Sequence, residues 1–265
     1  MTPDFEQSLI AIASAGDVGQ LKTLLTTDQE PQSEQSLQKL LTTAAKGSHL
    51  DAINFLLSQY PYVPLDEEIV RAAVNTGSVP IFEALLARDP GVINMQFDRR
   101  GTPLIVACMG QQRFEYLKFL LEAGADPNQD PDAALFPLAL AAGLYNDPTV
   151  IDLLLQHGAR LERSGALAAA AWRGKVSMLR RLLDRGARLD ADARDVGIHE
   201  SPLHVAVKAG RVGVVKILLQ HGADPSSTDA NGTTAIEVAH QMTLQGKNMG
   251  EMLEVLRGSR VAWNE

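Results

Sequence analysis

Leucine pairs recur along the chain at Leu120-Leu121, Leu154-Leu155, Leu182-Leu183 and Leu218-Leu219, and glycine follows each at Gly124, Gly158, Gly186 and Gly222. Each pair closes a stretch with two short apolar stripes and a polar break between them. Those stretches run from Thr102 to Asn128, Phe136 to Leu161, Gly165 to Asp190 and Ser201 to Pro225. A helix as short as either stripe is marginal in water on its own. Two such helices cannot bury their own apolar faces, so each unit must stack on something built like itself. The period scatters around about 33 residues, which points to an array of repeated helix pairs. Weaker copies end at Leu25, Leu57 and Leu86, and a degenerate copy beginning at Gly232 closes the chain. That makes seven clear units and a divergent eighth; Thr26–Ser36 is polar enough to be a flexible connection after the first unit, but a solenoid has no domain boundary. One domain over residues 1–265 is the expectation.

Local signals agree with this reading. Thr102 and Ser201 suit helix N-caps, because a hydroxyl there accepts from a free N–H in the first turn. Pro103, Pro137 and Pro202 follow where a missing N–H costs nothing. The glycines after the leucine pairs suit the left-handed C′ position. The first helix of each unit is alanine-rich and thin; the second carries the leucines. Thr102-Pro103-Leu104, Ser201-Pro202-Leu203-His204 and Gly222-Ala223-Asp224, at this period, resemble the ankyrin repeat. The resemblance covers nearly the whole chain. It implies an all-α solenoid of stacked helix pairs with projecting fingers, atypical terminal units and no regular sheet. It further implies that His204 bonds the cap hydroxyl and the backbone of the neighbouring finger.

Composition excludes several classes. The chain has 265 residues, 45% of them apolar but only 5% aromatic, which favours closely packed short helices. Cys108 is the single cysteine, so neither a disulfide framework nor a cysteine zinc cluster can form within the chain. A net charge of -8 argues against nucleic acid and anionic membrane as partners. No apolar run reaches the ~18 residues of a membrane span, and the start has no basic signal-peptide region. An intracellular protein, cytoplasmic or nuclear and monomeric, is expected.

No catalytic or metal-binding constellation stands out, and no cofactor motif is present. The six histidines fit structural places: His49 in an interhelix loop, His157 and His221 before C-terminal glycines, His204 in its cap slot, His240 on a helix surface and His199 in a long finger. Cys108 occupies a small-residue position and is expected to be a buried thiol.

Charge is unevenly spread. Up to Val70 there are ten acids against three Lys/Arg; from Ala159 to Arg188 there are eight Lys/Arg against two acids. The resemblance implies that partners bind finger tips and the residues just before the interhelix glycine, on the concave face. There the chain carries Tyr145, Trp172, Arg173 and Lys208, with Arg99 and Arg100 in a finger. Trp172 sits in an alanine run that needs no aromatic for packing. It either stands free for a partner or folds onto the next helix. Exposed aromatic beside arginine is the composition of a binding hot spot. The expected function is a non-enzymatic scaffold that binds another protein, of acidic character, at Arg99, Arg100, Tyr145, Trp172, Arg173 and Lys208. The alternative is an enzyme or a binder of a small anion in a central concave pocket near Trp172.

Overall fold

The computed structural model describes residues 3–27, 32–98, 101–129, 136–189 and 200–261. They form sixteen α-helices in eight pairs, and the chain divides into two compact units, Met1–Asp126 and Pro127–Glu265. Arg99, Arg100, His199 and most of the long 191–200 finger lie outside the described residues.

Unit 1 holds α1 (Pro3–Ala15) with α2 (Val18–Thr27), α3 (Glu34–Lys46) with α4 (Leu50–Gln59), α5 (Glu67–Thr76) with α6 (Val79–Arg88), and α7 (Pro103–Met109) with α8 (Phe114–Glu122). Unit 2 holds α9 (Pro137–Leu144) with α10 (Thr149–Gln156), α11 (Ala166–Arg173) with α12 (Val176–Asp184), α13 (Pro202–Lys208) with α14 (Val212–Gln220), and α15 (Ala235–Leu244) with α16 (Gly250–Val261). Within each unit, first helices pack on first helices and second on second: α1 on α3, α3 on α5 and α5 on α7, then α9 on α11, α11 on α13 and α13 on α15. Among the described residues the only β-pairing is two isolated bridges, Phe97 with Gly101 and Thr228 with Thr234, each within a finger.

The expected punctuation is present. Thr102 and Ser201 cap α7 and α13 through their hydroxyls, and Thr234 forms a full capping box with Glu237 on α15. Leu182 and Leu218 are completely buried, as inter-repeat leucines must be. Cys108 is buried, and burial pushes its thiol up to about 12, so it stays protonated and unreactive at neutral pH. His204 donates through Nε2–H to the Thr233 carbonyl at 3.0 Å, and its Nδ1 shares a 2.8 Å hydrogen bond with Ser201 Oγ. It thus ties the cap of one repeat to the finger of the next.

A second fastening repeats along the stack and is invisible to local pattern. The first helix of a repeat ends with unsatisfied carbonyls. A side chain from the next repeat's interhelix loop reaches back to them. His49 meets the Ser14 carbonyl at 2.8 Å, Gln112 donates to Asn75 at 3.0 Å, and Arg211 Nε donates to Trp172 at 3.1 Å. The receiving turn needs glycine for two reasons. Gly77 and Gly174 have φ of 62° and 73°, and a Cβ at either would press on the incoming Gln112 or Arg211 side chain.

Candidate functional site

Three first helices of unit 2, α9, α11 and α13, frame an apolar groove of about 340 Å³. Its floor follows from residue size. A Cβ on Gly143 would lie 3.4 Å from that of Ala169, in ordinary van der Waals contact, so α9 and α11 approach each other closely there. Ala168 and Ala169 continue this low surface. Leu140 and Leu144, one turn apart on α9, and Val205 on α13 supply the apolar walls. Trp172, Arg173 and Glu200 stand at the rim. Trp172 is 54% exposed, so it does not fold down as packing. Its backbone carbonyl ties it into the stack by accepting from Arg211.

The structure brings Trp172 and Arg173 together at this groove. Tyr145 caps the C-terminus of α9, and its neighbour Leu144 lines the groove in its place. Lys208 is engaged elsewhere. Its ammonium pairs with Glu200 and, at 3.4 Å, with Asp229, whose side chain is only 3% exposed. Partial burial works to lower the Lys208 pKa, but the two carboxylates outweigh it and hold it above the ordinary value. Asp229 is likewise penalised by burial. The Thr233 and Asn231 amides and Lys208 outweigh that penalty and keep its pKa below the ordinary value. This cluster joins two successive fingers.

The basic stretch is also less free than composition suggests. Arg181 pairs with Asp152 at 3.4 Å, and Arg185 joins the same carboxylate at 2.7 Å. Asp152 lies on the preceding repeat and shares no local motif with either arginine. Lys175 donates to Asn146. Among the described residues, Arg173 forms no ion pair.

Two further exposed features lie outside this groove. Met109, in the corresponding position before Gly110, is 53% exposed. In unit 1, Lys46, Ser48, Arg71, Asn75 and Thr76 surround a polar recess of about 400 Å³. Arg71 there is held by Glu67 at 2.7 Å. Among the described residues no group of His, Cys, Asp and Glu could hold a metal ion, and no helix is long and apolar enough to cross a membrane.

Comparison with known sequences gives the same repeat. Family models described as ankyrin repeats match residues 167–256 (three copies) and 101–131. The 2-5A-dependent ribonuclease of Mus musculus is 42% identical over 79 residues, 30% of this chain and 10% of that protein. YahD of Escherichia coli (strain K12), named for ankyrin repeats, is 29% identical over 154 residues, 54% of this chain and 75% of that protein. The nuclear factor NF-kappa-B p105 subunit of Gallus gallus is 29% identical over 177 residues, 63% of this chain and 17% of that protein. The chain thus spans only about a tenth of the ribonuclease it matches, but three quarters of YahD. With two sets of paired, stacked helices fastened by the same kind of loop contact at three turns, the chain has the ankyrin-repeat architecture that its leucine spacing pointed to.

Proposed function

We propose that the chain is a non-enzymatic scaffold for protein–protein interaction, and that its partner docks on the first-helix face of unit 2 around Trp172. Ankyrin-repeat folds serve in general as interaction surfaces, but fold alone does not identify a partner. The observation that carries the reading is the exposed indole of Trp172 beside a groove with apolar walls. A large aromatic left half in water at a place with no packing duty is a hot-spot residue waiting for a partner. The alternative, a small-molecule site, draws on the groove volume, which falls at the low end for ligand pockets of roughly 300–1,000 Å³. The open rim favours a protein. A ligand filling the floor would leave the outer part of the indole wet, whereas a polypeptide surface covers it.

The test is parallel capture on immobilised wild-type chain and Trp172→Ala, with bound proteins quantified by mass spectrometry and native mass spectra taken of the chain itself. The expected result is at least one protein enriched on wild type and lost on Trp172→Ala, at a cost of about 2 kcal/mol or more in affinity. Identical capture by both forms would overturn the site. A stoichiometric small organic molecule and no protein partner would overturn the scaffold reading.

A further inference from the structure

We infer that the groove beside Trp172 takes a polypeptide segment carrying one large apolar side chain with a carboxylate within a few residues of it. This inference rests on the scaffold reading and adds the chemistry of the occupant.

The apolar half follows from the shape of the floor. Gly143, Ala168 and Ala169 leave room between the Leu140 and Leu144 wall and Trp172. A Leu- or Phe-sized side chain placed there removes its own surface and that of the indole from water together. The charged half follows from sorting the cations by what they already hold. Lys208 holds Glu200 and Asp229, Arg181 and Arg185 hold Asp152, Lys175 holds Asn146, and Arg211 caps the Trp172 carbonyl. Arg173 lies on the rim without a carboxylate among the described residues. The acid that shares the rim, Glu200, is already paired with Lys208. Arg173 is therefore the rim charge left without a counter-ion among the described residues. It attracts a carboxylate and repels a lysine in the same place, and a guanidinium can bind a carboxylate through two parallel N–H bonds. A nucleic acid would satisfy Arg173 but not the apolar walls, and the chain's net charge of -8 opposes it.

The experiment uses a random twelve-residue peptide library displayed on phage. It is selected separately on the full wild-type chain, on Trp172→Ala and on Arg173→Glu. Circular dichroism melts establish that both variants are folded. On wild type, the enriched peptides should carry Leu, Phe or Trp near Asp or Glu. Binding of those peptides should fall at least tenfold on Trp172→Ala. On Arg173→Glu the apolar anchor should persist while the enriched charge switches to Lys or Arg.

An acidic preference that survives Arg173→Glu overturns the charge assignment. Peptides bound equally well by Trp172→Ala, or no enriched motif on wild type, overturn the groove as the seat. In those cases a protein captured by the wild-type chain still leaves the scaffold reading standing on another surface. Concentration-dependent self-association of wild type, abolished by Trp172→Ala in sedimentation velocity, overturns the inference in favour of a second copy as occupant.

Discussion

Units 1 and 2 use one repeat register to make two different surfaces. Aligned on their interhelix glycines, Gly77 and Gly174, α5 and α11 place Arg71 opposite Ala168 and Asn75 opposite Trp172. The first set surrounds a polar recess, the second an apolar groove. Beneath these faces the chemistry is the same in both: small alanines between first helices, buried leucines on the second, and a side chain from the next loop capping the preceding helix. The stack therefore fixes the buried positions and leaves the residues before the glycine free to vary. Partner choice belongs at those free positions, and stability belongs at the buried ones.

The comparison breaks first if the shared core is not shared. Removing everything after Asn231 strips α15 and α16 from α13 and α14 and uncovers Val214 and Leu218, now 1% and 0% exposed. A terminal repeat with a polar outer face is what keeps such a stack soluble. This deletion should cause the largest effect, aggregation in sedimentation velocity; a monomer with an unchanged melting temperature would refute the capping role of the last pair. Next in size, Leu40→Ala in unit 1 and Leu182→Ala in unit 2 should each cost about 2–5 kcal/mol in denaturant unfolding. Both leucines are buried to within 1%. A loss confined to one of them would show that the two cores differ.

His204 sharpens the contrast at intermediate size. Its replacement by alanine removes two polar contacts and should cost about 1–3 kcal/mol. Burial lowers the His204 pKa below 6.5, overcoming the Thr233 carbonyl and the nearby Asp229 and Glu200 carboxylates, which raise it. The unfolded chain therefore takes up this proton first. The contribution is complete above the unfolded value of 6.5 and is lost as pH falls through the lower folded value. Melting temperature should decline as pH falls below 6.5, and His204→Ala should flatten that decline. An equal slope in the variant would assign the effect to other groups. The smallest effect is expected from the exposed faces: Asn75→Ala and Trp172→Ala should each shift stability by no more than about 0.5 kcal/mol. A larger loss at Trp172 would mean that its indole holds the stack together.

Much of the fold was legible because its signals are local. The leucine period, the Ser and Thr caps, the prolines after them and the terminal glycines each report on a few adjacent residues. The position of Trp172 and Arg173 on a free face followed from the same register. The rest depends on partners 21 to 37 residues away, which periodicity does not encode. Lys208 looked available until Asp229, in the next finger, was seen beside it. Arg181 meets Asp152 of the preceding repeat, a partner that no local pattern announces. Likewise, neither His49 nor Gln112 signals by its type that it will cap a helix one repeat back. The closeness of α9 and α11 at Gly143, which creates the groove floor, is a property of two helices and not of either alone.

The central claim is that the Trp172 indole is a free surface that a partner covers. In a Trp263→Phe background Trp172 is the sole tryptophan, so its emission reports on this place alone. The free chain should show the red-shifted, readily quenched emission of an indole 54% exposed to solvent. Saturation with the captured partner, or with an enriched peptide, should shift that emission to the blue and protect it from acrylamide. Emission that is already blue in the free chain, or unchanged at saturation, would contradict the account.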